Sequence, residues 1–392
     1  MRHFPRLLAL ALALAAASTT TVWAQASAAN VRGFAPSTPI RGQYIVVFKD
    51  HVPDARAEAA TVMRGVGAQG RLLHTYTAAI KGFSAQLPDA AVQALRNNPN
   101  VLLVEEDQTV QLNQTQADAT WGLDRIDQVD RPLDGQYEYN ATGSGVTAFI
   151  IDTGIRADHV EFGGRVGAGF TSINDGRGTS DCDGHGTHVA GTVGGSTWGV
   201  AKQVSLVPVR VLDCRGSGTW SGVIAGVDWV ANSTVRPAVA NMSLGGGKST
   251  SVNAAVAGAV AKGVTMAVAG GNSSADACNY SPASEPTAIT VGATTSSDSR
   301  ASYSNYGSCL DIFAPGSSIT SAWHTGATAT NTISGTSMAS PHVCGVGALY
   351  KHAFGDASSA TVHNWIINNS TTGRIKSNPT GTPNRLLFKS TL

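Results

Sequence analysis

The chain has 392 residues, 42% of them hydrophobic and 14% charged, with a formal net charge of +1. This composition supports a large buried core and excludes an intrinsically disordered chain. A near-neutral balance offers no basic surface, so neither nucleic acid nor an anionic membrane is expected as a partner.

In chain order, Arg2 and Arg6 precede an apolar stretch at 7–17 and small residues around Ala24 and Ala26. This is the pattern of a secretory signal, expected over 1–26. The stretch is shorter than the ~20 residues of a membrane-spanning helix, and no later segment is a candidate span. A secreted, soluble protein is expected. A propeptide-like unit is expected at 27–113, with its core at about 42–112. There 43–49, 71–76, 81–87 and 101–110 read as strands, 54–66 and 89–96 as helices, and Asp89 as a helix N-cap. The order β-α-β-β-α-β is a small two-layer, ferredoxin-like α+β unit. Residues 111–120 are polar and read as an exposed linker.

A second domain is expected over 114–392. Short apolar runs at 146–151, 204–212, 238–244, 264–269 and 288–291 predict strands. Patterns at 222–231 and 251–262 predict helices, as does a run from about 338 to 352. Continuously apolar strands alternating with helices predict a parallel sheet covered on both faces. In such α/β folds ligands sit at the carboxyl ends of strands. Asp152, Ser243-Leu244-Gly245 and Asn272 fall at or just past predicted strand ends. Of the five cysteines, Cys344 lies in an apolar helix-like run and reads as a buried inert thiol. Cys182, Cys214, Cys278 and Cys309 allow three pairings in an exported chain. No cysteine or histidine spacing suggests zinc.

Three segments carry the chemistry: Ile150-Ile151-Asp152-Thr153-Gly154, His185-Gly186-Thr187-His188, and Gly335-Thr336-Ser337-Met338-Ala339. A serine hydroxyl needs a neutral imidazole to take its proton and a carboxylate to fix that imidazole's tautomer. Any one segment alone is more often structural, but the order acid, base, nucleophile, each in an extended context, points to Asp152, His185 and Ser337. His185 rather than His188 is the expected base, and Ser337 rather than Ser334 or Ser340 the nucleophile. An esterase of the α/β-hydrolase kind would need a Gly-x-Ser-x-Gly elbow and the order Ser, Asp, His, and neither occurs around Ser337.

These motifs resemble the subtilisin-like serine proteases, most closely the proteinase K and aqualysin branch. Trp121-Gly122-Leu123-Asp124-Arg125-Ile126, the string 241–247 (NMSLGGG) and Tyr303-Ser304-Asn305-Tyr306-Gly307 extend the resemblance, and 43–112 is similar to the family's inhibitor propeptide. The resemblance implies a subtilisin-like α/β fold with helices on both faces of a parallel sheet. It also implies a broad-specificity serine endopeptidase acting on proteins and peptides, made as an autoprocessed zymogen that its own propeptide inhibits. Cleavage is expected within 112–117, near Asn113-Gln114, and the product is expected to be a monomer. Asn272 matches the oxyanion-hole amide. Ser243-Leu244-Gly245 and Gly216-Ser217-Gly218 match the two strands that hold the substrate backbone, and Gly270-Gly271 matches a pocket wall left open by missing side chains. The implied disulfides are Cys182–Cys214 and Cys278–Cys309. Structural Ca2+ is implied at Asp311 with the carbonyls of Pro286 and Ala288. A second site is expected where Asp124, Asp127, Gln128 and Asp134 cluster, against the alternative of a solvated acidic loop. No catalytic cofactor is implied. A catalytically inactive peptide-binding relative is the alternative reading.

Overall fold

The computed structural model describes residues 39–108 and 114–392. The expected signal, the boundary at 113 and positions 109–110 of the last propeptide strand lie outside the described residues. The N-terminal unit contains β1 (Pro39–Phe48), α1 (Ala55–Val66), β2 (Arg71–Tyr76), β3 (Gly82–Gln86), α2 (Asp89–Arg96) and β4 (Val101–Gln108). Its strands form one sheet in the order β2-β3-β1-β4, antiparallel at β2–β3, β1–β3 and β1–β4. Val46, Phe48, Phe83 and Ala85 alternate onto one face and pack with Ala59, Val92 and Leu95 of the helices. The Asp54 carboxylate caps α1 by accepting the amides of Arg56 and Ala57. Asp89 does not cap α2: Pro88 holds that position and Asp89 is the first helical residue. A carboxylate there still complements the positive end of the helix dipole.

The body opens with β5 (Gln114–Ala117), which pairs antiparallel with β6 (Gln136–Tyr139), separated from it by the short helix α3 (Trp121–Ile126). The expected linker at 111–120 therefore contains a strand at 114–117. Backbone pairing does not need apolar side chains, so the polar composition concealed it. The elements that follow are β7 (Thr147–Asp152), β8 (Phe170–Thr171), α4 (His185–Gly194), β9 (Ser205–Arg210), α5 (Trp220–Asn232), β10 (Ala238–Met242), β11 (Gly246–Gly247), α6 (Thr250–Ala261), β12 (Thr265–Ala269), β13 (Tyr280–Ser281), β14 (Ile289–Thr294) and β15 (Ile312–Pro315). The chain closes with β16 (Ile319–Ala322), β17 (Thr330–Ile333), α7 (Thr336–Phe354), α8 (Ser359–Asn368), β18 (Thr371–Thr372) and β19 (Arg385–Leu386).

The main sheet has nine strands in the order β18-β19-β15-β14-β12-β10-β7-β9-β8, and its core from β15 to β8 is parallel throughout. The fold is α/β and subtilisin-like, as the sequence predicts. All six residues of β7 are buried, and they divide by parity. Ala148 and Ile150 join the core formed with α4 and α7, whereas Phe149 and Ile151 join the core formed with α5 and α6. Side chains of a strand alternate between faces, so Asp152 shares the face of Ala148 and Ile150. The helices that carry His185 and Ser337 cover that same face.

Candidate active site

Asp152 ends β7 and is fully buried. Its Oδ1 accepts the Thr153 amide and the Nδ1–H of His185, each at 2.7 Å. His185 begins α4, and its side chain is a quarter exposed. The helix can approach the Asp152 loop because Gly186 has no side chain: a Cβ there would lie 2.2 Å from the Gly154 carbonyl oxygen. A second carboxylate fixes the two segments together. Asp181 accepts Thr153 Oγ1 and the Gly184 amide at 2.9 Å, and the Thr187 amide at 2.9 Å. Burial pulls the His185 pKa down, but the charge and hydrogen bond of Asp152, helped by Asp183 and Asp181, outweigh it and raise the imidazole above its ordinary value. His188 is fully buried, donates to or accepts from nothing in the cleft, and meets the Ile319 carbonyl at 3.0 Å through Nε2. Burial lowers its pKa to about 4.

Ser337 is the second residue of α7, capped by Gly335, so the helix starts two residues before the expected position. At the second helical position its amide has no partner four residues back within the helix. Pro341 lies one turn later and lacks the N–H that would bond the Ser337 carbonyl. The Ser243 hydroxyl takes that carbonyl instead, at 2.7 Å, and itself accepts from Asn241 Nδ2 at 2.8 Å. Asn241 Oδ1 in turn accepts from Ser340 Oγ at 2.7 Å. This buried network ties the end of β10 to the start of α7, and it occupies Ser340. Ser334 Oγ accepts the Ser318 amide. Ser337 Oγ donates to the Ser243 carbonyl at 3.2 Å.

Asn272 lies past the end of β12. Its Oδ1 accepts the backbone N–H of Thr336 at 2.8 Å and the Thr336 hydroxyl at 2.9 Å. With the oxygen so held, Nδ2 faces the cleft. A Cβ built on Gly335 would lie 3.5 Å from both Asn272 Nδ2 and Ser337 N, so the two nitrogens lie near one another beside Gly335.

A single cavity of about 740 Å³ is lined by His185, Ser337, Asn272, Gly216-Ser217-Gly218, Ser243-Leu244-Gly245 and Gly270-Gly271, with Asp152 buried behind it. Leu212, Trp220, Val223, Tyr280 and Ala283 add apolar wall that sequence reading did not assign to the site. Their signal was weak, since each reads as an ordinary core or loop residue. Close packing gives a second reason for the two glycines that line the cavity. A Cβ on Gly270 would strike Leu310 at 2.6 Å, and one on Gly271 would strike Asn305 Nδ2 at 2.3 Å.

The structure contains Cys182–Cys214 and Cys278–Cys309, and Cys344 is free and buried. The first disulfide joins the turn before α4 to the loop before Gly216. Burial pushes the Cys344 thiol far up, so it stays protonated and inert.

The two candidate cation sites differ. Asp311 accepts the Thr290 amide at 2.8 Å, and its other oxygen lies 3.6 Å from His363 Nε2. Ala288, buried, and Pro286, exposed, precede the neighbouring strand β14. At the other site Asp124 is buried and accepts the amides of Asp134 and Gly135. Gln128 Oε1 also accepts the Asp134 amide. Asp127 Oδ2 accepts the Glu138 amide, while its Oδ1 is buried without a hydrogen-bond donor among the described residues. Burial holds the Asp127 carboxyl up at about 7 and raises Asp124 as well. Arg125, which is fully buried on Asp298 at 2.7 Å, pulls Asp124 back down, and the buried Lys389 does the same for Asp127, but neither outweighs burial. A buried carboxylate oxygen without a donor does not belong to a solvated acidic loop, and carboxylate and amide oxygens are the ligand type that calcium takes.

Residues 143–386 match the family described as the subtilase family, and residues 43–113 match the peptidase inhibitor I9 family. The chain is 51% identical over 383 residues to the extracellular serine proteinase of Thermus sp. (strain Rt41A), covering 93% of each chain. It is 52% identical over 318 residues to alkaline serine exoprotease A of Vibrio alginolyticus, covering 80% of this chain and 59% of that relative. Among solved structures it is similar to a cold adapted subtilisin-like serine proteinase, at 54% identity and a TM-score of 0.68, covering 70% of this chain and 99% of that one.

Proposed function

This chain belongs to the subtilase family and is a serine endopeptidase with an I9 inhibitor domain, and from that premise we propose that it is secreted as a zymogen and cuts peptide bonds through an acyl-enzyme on Ser337. The observation that carries this reading is the meeting of His185, Ser337 and Asn272 on one cleft, with Asp152 hydrogen-bonded behind His185.

A substrate carbonyl carbon is attacked by Ser337 Oγ as the hydroxyl turns from the Ser243 carbonyl to His185 Nε2. The proton passes to Nε2, and Asp152 stabilises the resulting imidazolium through Nδ1–H. Asn272 Nδ2 and the Ser337 amide receive the oxyanion, aided by the positive end of α7. The imidazolium then protonates the leaving amine as the C–N bond breaks. Water, deprotonated by His185, attacks the acyl carbon; the bond from that carbon to Oγ breaks, the imidazolium returns its proton to Ser337 Oγ, and the acid leaves. The substrate backbone lies between Ser243–Gly245 and Gly216–Gly218, where main-chain pairing tolerates many sequences. The apolar walls favour an apolar or aromatic side chain before the cut bond.

Residues 1–26 are assigned as the signal, 27–113 as the propeptide and 114–392 as the peptidase. Pairing of Gln114–Ala117 with β6 supports a boundary just before Gln114. Calcium would be held by Asp124, Asp127, Gln128 and Asp134, and by Asp311 with the Pro286 and Ala288 carbonyls. Its contribution there is structural: it neutralises clustered carboxylates.

Casein hydrolysis abolished by a serine-directed sulfonyl reagent is the direct test. The Ser337→Ala variant should lose ~10⁶-fold in turnover, the scale seen when a subtilisin loses its triad serine, and should accumulate as an uncut precursor. Inhibitor-insensitive casein hydrolysis, or normal processing of Ser337→Ala expressed alone, would overturn the reading.

A further inference from the structure

The segment Tyr303-Ser304-Asn305-Tyr306-Gly307 lines no part of the cleft. It lies instead against the loop that leaves β12 and carries Asn272. The Ser274 amide donates to the Tyr303 carbonyl at 2.9 Å, and the Tyr306 amide donates to the Ala275 carbonyl at 3.0 Å. Asn305 is fully buried between them. Its backbone amide donates to the Gly271 carbonyl at 2.9 Å, and its Nδ2 donates to the Gly270 carbonyl at 2.8 Å. Its Oδ1 accepts the amides of Ser273 and Ala275, each at 3.0 Å. Asn305 therefore grips the chain on both sides of Asn272 and leaves Asn272 itself to Thr336 and the cleft.

Residues 270–275 belong to no helix or strand, so no backbone ladder of their own fixes them. Ser274 holds a φ of 48°, which a non-glycine residue keeps only where the surrounding structure imposes it. A carboxamide suits that task, because it offers a donor and a two-lone-pair acceptor in one plane. The gripping segment is itself tied to the central sheet: Ser304 Oγ accepts the Ala293 amide of β14 at 3.0 Å, and the Ala301 amide donates to the Ala293 carbonyl at 2.9 Å. We propose that Asn305 is a positioning residue that sets the Asn272 amide for the oxyanion by fixing the backbone on either side of it. Thr336 holds the oxygen end of that amide, and Asn305 holds the main-chain end. This deepens, and rests on, the peptidase reading above. A donor displaced by about 1 Å can cost on the order of a hundredfold in rate, so loosening one of the two anchors should cost part of that.

The test is a double-mutant cycle on kcat, with one peptide amide and four enzymes: unaltered, Asn305→Ala, Asn272→Ala and the two combined. Asn305→Ala should lower kcat about tenfold in the unaltered enzyme. In Asn272→Ala it should change kcat by less than about twofold, because no amide is left to position. A side chain that only stabilises the fold, or only shapes the pocket wall at Gly270 and Gly271, would give the same factor in both backgrounds. That result, or an unchanged kcat in Asn305→Ala, overturns the proposal. Where Asn305→Ala does not fold, Asn305→Asp enters the same cycle: it keeps the oxygen for the Ser273 and Ala275 amides and loses the donor to Gly270. Hydrogen exchange on the sulfonyl-inactivated enzyme needs no variant. The Ser273 and Ala275 amides should exchange as slowly as buried strand amides; exchange at the rate of an open loop overturns the proposal. Equal factors in the two backgrounds sink only this inference, whereas an unaltered enzyme that cuts no peptide sinks the peptidase reading with it.

Discussion

The N-terminal unit and the body solve the same packing problem in opposite ways. In the first, helices cover one face of a four-stranded antiparallel sheet, and apolar residues such as Leu72, Leu102 and Leu103 stay exposed. In the body, the parallel sheet is covered on both faces, with two cores divided by strand parity. All five cysteines lie in the body, and the N-terminal unit has none. A small one-sided sheet buries too little to be more than marginally stable alone. The two-sided sheet sets the end of β7, which carries Asp152, beside the starts of α4 and α7, which carry His185 and Ser337. The difference fits the proposed roles of a prosegment that is cut away and a body that persists.

Tests that break the body's constellation should have the largest effects. Asn272→Ala should cost ~10²–10³ in kcat with little change in KM, the scale known for this donor in subtilisin. Steady-state kinetics on one peptide amide checks it, and a change confined to KM would contradict the oxyanion assignment. Next is the Cys182→Ser, Cys214→Ser double variant. Opening a loop of sequence separation 32 should lower stability by about 3–4 kcal/mol through unfolded-chain entropy. Denaturant melts would measure this, and reducing agent should leave the cysteine-free N-terminal unit unaffected. Chelation should lower the melting temperature of the processed body. A cation at a hundredfold excess over its dissociation constant contributes about 2–3 kcal/mol; equal melting with and without chelator would remove calcium from the account.

The smallest effect concerns pH. His185 is raised above the ordinary 6.5, so it stays protonated, and unable to act as a base, to a higher pH than free imidazole. The acid limb of kcat/KM should therefore lie above 6.5, with activity lost as pH falls through it. Asp183→Asn removes one of the charges that hold the proton, so the limb should move to lower pH. A limb at or below 6.5 in the unaltered enzyme would contradict the balance of burial against Asp152, Asp183 and Asp181.

The sequence alone determined the order acid, base, nucleophile, the alternation of apolar strands and helices, and the six elements of the N-terminal unit. These are local or periodic features, and side-chain parity and short motifs carry them directly. It could not determine which hydroxyl takes the carbonyl that Pro341 leaves unbonded, because Ser243 and Ser337 are 94 positions apart. Nor could it reveal that Thr336 turns the Asn272 amide, or that Leu310 and Asn305 crowd behind Gly270 and Gly271. Hydrogen bonds and close contacts depend on distance in space, and only the folded sheet brings those strand ends within reach of one another.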